Sequence, residues 1–282
     1  MIQSIHIIDA GKFKLDGGAM FGVVPKSMWG KMNPPDENNM CTWGLSCLLI
    51  RTQDRNILVD TGMGNKQDER FRSHFSPHGD GSIEKSLTNL GLTVSDITDV
   101  FLTHLHFDHC GGAVERTIEG VLQPAFPNAV YWTNEKHWNW AMQPNDREKA
   151  SFLKENFVPL LEHNTLKYID FGQDVVDWIE GIKIHFFYGH TEALMGLEFE
   201  YGGRTFWYTA DLIPSSYHIS LPFVMAYDVR PLLTLKEKEF VLNQMVSKNG
   251  ILILEHDPLH DACTVKVNES KRIVLDEYVG IS

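Results

Sequence analysis

The sequence predicts an α/β protein in which sheets and helices form stacked layers. Apolar runs rich in β-branched and aromatic residues recur along the chain, and segments with helical periodicity lie between them. No low-complexity linker or block of charge divides the chain. We therefore predict a single layered domain that spans residues 1–282.

Seven apolar runs are predicted to be strands, because Val, Ile and aromatic residues favour extended backbone. They lie at 46–50, 56–60, 99–103, 129–133, 182–188, 205–211 and 250–255. A helix is predicted over 82–91, where Ile83, Leu87 and Leu90 share one face and Gly91 suits the C-terminal cap.

A second helix is predicted over 234–250. Thr234 and Glu237 have the spacing of a capping box, and Gly250 ends the pattern before the next apolar run. The predicted buried stripe consists of Phe240, Val241 and Met245.

Composition limits the classes of partner. The chain has 282 residues, 43% of them apolar, and a formal net charge of -12, from 25 Lys+Arg and 37 Asp+Glu. Negative charge opposes attraction to phosphate backbones and anionic lipids, so we expect neither a nucleic-acid nor a membrane partner. The net charge does not exclude a local basic groove.

The N-terminus lacks the pattern of a signal peptide, and no apolar stretch is long enough to span a membrane, so we expect a cytoplasmic protein. The cysteines, without a CxxC pair, are expected to be free thiols.

Two long irregular segments, 16–40 and 212–231, carry large apolar side chains without periodicity. Such loops often pack over an active site. It is equally good to interpret them as loops that cover a surface without functional residues. The candidate pocket residues in them are Phe21, Met28, Trp29, Tyr217, His218, Phe223 and Met225.

The stretch THLHFDHCGG, residues 103–112, directly follows an apolar strand-like run. In extended or tightly turned backbone, alternate residues project to one side, so His104 and His106 can reach one centre. Asp108 and His109 follow within reach of a second. Imidazole nitrogen and carboxylate oxygen are ligands for zinc, manganese or iron, so we predict that this stretch binds metal.

The remaining ligands must come from other segments. His190, Asp211 and His256 also follow apolar runs, and strand ends in an α/β layer gather at one edge. Each taken alone has a simpler explanation as a hydrogen-bonded or turn-capping residue. The simpler explanation is kept for His6, His74, His78, His137, His163, His185 and His260.

These motifs resemble those of the metallo-β-lactamase superfamily. THLHFDH at 103–109, GHT at 189–191, AD at 210–211 and EH at 255–256 occur in the family's usual order, and ILVDTG at 57–62 is similar to its early strand and Asp turn. The resemblance implies a four-layer αββα sandwich with the metals at one edge. This sequence departs from the frequent GHTPG form in having GHTEALMG.

The resemblance also implies a role for each ligand. His104, His106 and His190 would bind one metal, and Asp108, His109 and His256 would bind the other. Asp211 would bridge the two, and Asp60 would orient the site from behind, if it is not simply a turn residue. Cys110, next to His109, is interpreted as a small packing residue, with metal binding or redox sensitivity as the minority alternative.

The implied function is a hydrolase with two divalent metals, zinc first, with manganese or iron as alternatives. A hydroxide bridging the metals would attack, and Asp108 or Asp211 would carry the proton to the leaving group. The apolar content of the two loops favours a small, partly apolar substrate, with a lactone or ester ahead of a phosphotriester. A homodimer is one option for the oligomeric state.

Three alternatives stay open. An iron-dependent oxygenase of the same fold would act on a thiol substrate and leave the second-site ligands idle. A nuclease of the superfamily is opposed by the acidic charge balance. A metal-holding module without turnover gains no support from the sequence, because all the candidate ligands are present.

Overall fold

The computed structural model describes residues 1–170 and 172–281; the predicted domain 1–282 also includes residues 171 and 282, which lie outside the described residues. The strands are β1 Ser4–Asp16, β2 Met40–Arg51, β3 Asn56–Val59, β4 Asp99–Phe101, β5 Val114–Arg116, β6 Leu122–Pro124, β7 Val130–Asn134, β8 Leu166–Ile169, β9 Val175–Asp177, β10 Lys183–Phe187, β11 Leu194–Tyr201, β12 Arg204–Tyr208, β13 Ile251–Ile253, β14 Ala262–Val267 and β15 Ile273–Val279. The helices are α1 Gly17–Phe21, α2 Lys26–Trp29, α3 Glu69–Phe75, α4 Ile83–Asn89, α5 Phe107–Cys110, α6 Glu135–Met142, α7 Val158–Glu162 and α8 Pro231–Lys248.

The strands form two large sheets and a small hairpin. The first sheet has the order β1-β2-β3-β4-β7-β8, the second has the order β15-β14-β13-β12-β11-β10-β9, and β5 pairs with β6. In the first sheet β3, β4, β7 and β8 run parallel, whereas β1 and β2 are antiparallel. The second sheet is antiparallel except for the β12–β13 pair.

Apolar side chains from the two sheets share one core. Leu48 and Phe101 of the first sheet belong to the same buried cluster as Ile184 and Leu197 of the second. A separate cluster joins the outer face of the first sheet to α4, α6 and α7, while Val241 of α8 packs on the second sheet. The result is the expected helix–sheet–sheet–helix order, in which burial of each large apolar side chain contributes about 1.5–3 kcal/mol.

The seven predicted strands and both predicted helices occur, most of them with shifted bounds. Sequence inspection missed β1, β8, β9, β11, β14, β15 and the β5–β6 hairpin. In β1 a register shift between Asp9 and Lys12 breaks the pairing with β2, and in β11 glycine and two glutamates interrupt the apolar run. These strands are held by their neighbours in the sheet rather than by local preference.

The start of α8 differs from the prediction. The helix begins at Pro231, so Thr234 lies inside its first turn, and Glu237 accepts hydrogen bonds from the Tyr188 and Gly189 amides at 2.7 and 3.0 Å. The predicted capping box is therefore wrong, because the carboxylate serves the loop after β10 instead. The assignment of Phe240 to the buried stripe is also wrong, since its side chain is 46% exposed. The buried face is made by Thr234, Lys238, Val241, Leu242 and Met245.

Neither a disulfide nor a membrane-spanning helix occurs among the described residues. All four cysteines are free, as expected, and all four are buried. Among residues 1–170 and 172–281, no helix combines the length and the apolar character needed to cross a bilayer.

Candidate metal centre

Four strand ends bring the candidate ligands to one edge of the sandwich. In each case the strand ends three residues before a candidate ligand: β4 at Phe101 before His104, β10 at Phe187 before His190, β12 at Tyr208 before Asp211, and β13 at Ile253 before His256. Strand β4 belongs to the first sheet and the other three belong to the second. The centre is therefore assembled where both sheets end.

The chain from 103 to 112 changes conformation within the motif. His106 is extended and precedes the short helix α5, which carries Asp108 and His109. The glycine pair that follows is required by a close approach of two backbones: a Cβ on Gly111 would lie 2.1 Å from the Met63 carbonyl oxygen. The loop that holds the ligands thus packs directly against the turn after β3.

Three histidines and one aspartate form the first ligand group. His106 Nδ1 lies 3.0 Å from His104 Nε2 and 3.2 Å from His190 Nε2. Asp211 Oδ2 lies 3.1 Å from His190 Nε2 and 3.9 Å from His104 Nε2. These atoms lie within 4.8 Å of one another, which is compatible with a single ion.

Asp108, His109 and His256 form the second ligand group. The Nε2 atoms of the two histidines lie 3.2 Å apart, and Asp108 oxygens lie 3.9 Å from His109 Nε2 and 3.8 Å from His256 Nε2. Asp211 faces this group as well, because its Oδ1 atom lies 3.1 Å from His256 Nε2. Asp211 therefore faces both groups, and its Oδ2 atom also lies 3.5 Å from His109 Nε2.

The far nitrogen of each ligand ring faces a hydrogen-bond acceptor. His190 Nδ1 lies 2.8 Å from Asp228 Oδ1, and His256 Nδ1 lies 2.8 Å from the Gly44 carbonyl oxygen. His109 Nδ1 lies 3.0 Å from a Glu255 oxygen and 3.1 Å from an Asp60 oxygen. When such a ring is neutral it carries its proton on this nitrogen, which leaves the Nε2 lone pair toward the centre.

The two other ligand rings follow the same rule. Thr103 Oγ1 donates to Asp60 Oδ2 at 2.6 Å, so His104 Nδ1, 3.1 Å from that hydroxyl, acts as the donor to it. His106 is reversed: its Nδ1 faces the centre, and its Nε2 lies 3.5 Å from Glu148 Oε1, an ion-pair distance without a hydrogen bond. Asp60 thus lies behind both His104 and His109, at the position that the resemblance gives it.

His137 shows the contrast with a buried structural histidine. Its Nε2 accepts from the Leu105 amide at 2.8 Å, and its Nδ1 donates to the Glu192 carbonyl. Burial lowers its pKa to about 4, so it is neutral with both nitrogens satisfied. The simpler explanation kept for His137 agrees with these contacts.

Charge around the ligand groups favours a cation. Burial lowers the pKa of His104 well below its usual range. At His109, burial acts in the same direction, but the carboxylates of Glu255, Asp211 and Asp108 outweigh it and raise the pKa well above the usual range. The pKa of Asp211 lies well below its usual range, because neighbouring histidines outweigh the burial that would raise it.

The donor set fits divalent metal ions. Ring nitrogens of five histidines face one another and the Asp211 carboxylate at 3.0–3.9 Å, which is the kind of nitrogen and oxygen donor set that divalent ions bind. No Lys or Arg nitrogen within the described part of the chain lies within 4.0 Å of the carboxylates of Asp60, Asp108, Asp211, Asp228 or Glu255. Metal binding by these residues remains a prediction, with a consistent geometry behind it.

The two irregular segments pack together beside the centre. Phe21 stacks between Trp29 and His218, with ring centroids 5.2 Å from each, and His218 Nε2 lies 2.9 Å from the Met20 carbonyl oxygen. We call the following residues the wall cluster: Phe21, Trp29, Tyr217, His218, Phe223 and Met225. Met28, the other candidate, lies outside the cluster and is 54% exposed.

Only a narrow part of the centre reaches solvent. The side chains of His106, Asp108 and Asp211 are 8%, 10% and 9% exposed, whereas those of His104 and His109 are fully buried. His106, Asp108 and Asp211 are therefore the members of the two ligand groups with the most contact with solvent.

Sequence inspection missed three residues behind the ligands: Glu148, Asp228 and Glu255. Of these, only Glu255 could have been found from the sequence, because it stands beside His256 in a strand-end motif.

Two further features of the sequence have structural explanations. Where the family often has GHTPG, this chain has GHTEALMG, and the glutamate of that stretch, Glu192, pairs with Lys136 and Arg230. Cys110 Sγ contacts the Leu105 carbonyl oxygen at 3.3 Å and burial raises its pKa to about 12, in line with a packing role.

This fold and site define a class, and comparison with known proteins identifies the same one. The family model described as the metallo-beta-lactamase superfamily matches residues 43–264. The chain belongs to this superfamily and is a metal-dependent hydrolase.

Individual relatives agree with that assignment. A solved probable metal-dependent hydrolase from Staphylococcus aureus is 30% identical, with a TM-score of 0.87 over 98% of this chain and 96% of its own. An N-acyl homoserine lactonase from Bacillus cereus is 23% identical over 209 residues, 71% of each chain. A solved dizinc quorum-quenching lactonase, 21% identical, has a TM-score of 0.77 over 99% of this chain and 94% of its own, a likeness that shows the fold.

Proposed function

We propose that the chain hydrolyses small, partly apolar lactones, esters or phosphotriesters, lactones first, with two divalent metal ions, zinc first. The observation that carries the proposal is Asp211, whose Oδ2 lies 3.1 Å from His190 Nε2 and whose Oδ1 lies 3.1 Å from His256 Nε2. A carboxylate in this position can bind one ion with each oxygen.

The ligand assignment follows the two groups. His104, His106 and His190 would hold one ion, Asp108, His109 and His256 the other, and Asp211 both. Bound divalent ions supply Lewis acidity and lower the pKa of coordinated water toward neutrality. The proton-carrying role falls to Asp108 or Asp211, because these are the partly exposed carboxylates of the two ligand groups.

The substrate class rests on the wall cluster and on the relatives. Most of the wall cluster is buried, and its half-buried member Phe223 is the side chain that could contact an apolar portion of a substrate. The curated relatives that match 71% of this chain are named N-acyl homoserine lactonases, which supports placing lactones first.

Metal analysis and a substrate panel test the proposal together. The purified protein should hold two zinc ions per chain and hydrolyse an acyl lactone faster than an aryl ester or a phosphotriester. Asp108→Asn should lower kcat by about 100-fold or more, the usual range for loss of a general acid or base. His106→Ala should lose metal from the first group as well as activity.

Asp146→Asn is the matched control, because Asp146 is 97% exposed and its ion pair is with Lys149 rather than with a candidate ligand. Undiminished hydrolysis in both site variants would refute the assignment. A single iron per chain with thiol-dependent oxygen consumption would favour the oxygenase instead, and metal-dependent RNA cleavage would favour the nuclease.

A further inference from the structure

Lys238 is a fully buried lysine that the proposed chemistry does not use. It lies in the interior of α8, is 0% exposed, and has no carboxylate within 4.0 Å in the described part of the chain. Its Nζ atom donates instead to three backbone carbonyls, those of Ser220 at 3.0 Å, Leu221 at 3.4 Å and Phe223 at 2.8 Å. An amine is costly to bury, and these three bonds are what offset the cost.

The three carbonyls belong to the segment 212–231, whose two ends are fixed at the metal centre. It starts directly after Asp211, and near its other end Asp228 contacts His190 Nδ1 at 2.8 Å. The Val229 amide also donates to the His190 carbonyl oxygen at 3.1 Å. Both ends of the segment are therefore held at the candidate ligands, and Lys238 of α8 binds the backbone of its middle.

The turn that Lys238 holds carries part of the wall cluster. Phe223 is half-buried and meets Phe21 edge to face, with ring centroids 6.1 Å apart, while Met225 is buried two residues later. The Ala226 amide donates to the Ala19 carbonyl oxygen at 2.8 Å, which joins this segment to the other irregular segment. A shift of the 220–223 turn would thus move apolar side chains from both segments.

We infer that Lys238 is a positioning residue for the substrate: by binding the carbonyls of 220–223 it fixes the apolar wall beside the metal centre and sets the size of acyl group that the site accepts. This inference rests on the proposed function. Lys238 touches neither the candidate ligands nor the reacting atoms, so its effect acts through Phe223 and Met225.

Lys238→Met tests the inference, because methionine keeps a similar length and apolar stem while removing the amine. The three carbonyls then lose their shared donor, and the turn should open more often. Lys236→Met is the matched control, since Lys236 is an exposed lysine on the same helix. Hydrogen exchange of the 216–226 amides, zinc content, and KM and kcat for short-chain and long-chain acyl lactones are measured for all three proteins.

We expect the 216–226 amides of Lys238→Met to lose about 10-fold or more of their protection, with zinc content unchanged. The KM for the long-chain lactone should rise about 10-fold, while the KM for the short-chain lactone and both kcat values stay within about 3-fold. The control variant should behave as the wild type does. A merely structural lysine would change both substrates equally.

Unchanged exchange in Lys238→Met overturns the inference, and so does an equal rise in KM for both chain lengths. If that variant does not fold, the wild type decides: slow exchange of the Phe223 amide, bonded to the Ser220 carbonyl oxygen at 3.0 Å, supports a held turn, and free exchange overturns it. If the wild type hydrolyses no lactone, the proposed function fails. A loss of hydrogen-exchange protection confined to residues 216–226 in Lys238→Met would still show that Lys238 positions this segment.

Discussion

At the scale of single residues, the centre depends on partners that stand behind the ligands. Asp228, 1% exposed, fixes the ring of His190 through its Nδ1 atom, and Gly44 does the same for His256 through a carbonyl oxygen. A ring held in this way presents one tautomer and one direction to a metal ion. The geometry of the site therefore depends on these partners as well as on the candidate ligands.

Asp228→Ala should weaken metal binding without removing a ligand. His190 loses the acceptor that orients its ring, and loss of such a partner commonly costs about 10–100-fold in metal affinity. Titration with a competing chelator measures the effect, and Asp146→Ala, at an exposed position, is the control. Equal chelator resistance in the wild type and Asp228→Ala would contradict the assigned role.

At the scale of elements, α8 is joined to the second sheet by a buried polar network. Glu198 of β11 lies 2.9 Å from His185 Nε2 of β10 and accepts a hydrogen bond from Lys248 of α8. Burial would raise the pKa of Glu198, but these two partners outweigh it and lower the pKa to about 2. The network fixes the C-terminal part of the helix whose middle carries Lys238.

The low pKa of Glu198 predicts a pH-dependent contribution to stability. A carboxyl whose folded-state pKa is depressed stabilises the fold above its ordinary pKa of 4.5 and loses that contribution as the pH falls toward about 2. Glu198→Gln should therefore be less stable than the wild type at neutral pH, with the difference shrinking as the pH falls from 4.5 to about 2.

Urea unfolding across this pH range measures the difference, and Glu239→Gln is the control, because Glu239 is exposed on α8. A gap between Glu198→Gln and the wild type that stays constant with pH would exclude the network as its source.

At the scale of the whole molecule, the candidate ligands tie the two sheets together. His104, His106, Asp108 and His109 follow the first sheet, whereas His190, Asp211 and His256 follow the second. Ions bound between these groups would link both halves of the sandwich, and a ligand that binds only the folded state stabilises it.

Removal of metal should therefore lower the melting temperature. An ion present at about 100 times its dissociation constant adds about 2.7 kcal/mol, which corresponds to roughly 5–10 °C for a chain of this size. Thermal unfolding before and after chelation, with zinc added back, measures the shift. A melting temperature that is the same with and without metal would contradict the binding of ions between the sheets.

The sequence by itself determined the ligand types, their order along the chain and the family, because the HxHxDH spacing and the strand-end positions are local properties. Tertiary structure decided which partners the 13 histidines contact. His137 is as buried as His104, yet both of its nitrogens are bonded to backbone. It also decided the partners Glu148, Asp228 and Glu255 and the part played by Lys238. Those contacts join residues far apart in the chain, and only the packing of the two sheets brings them together.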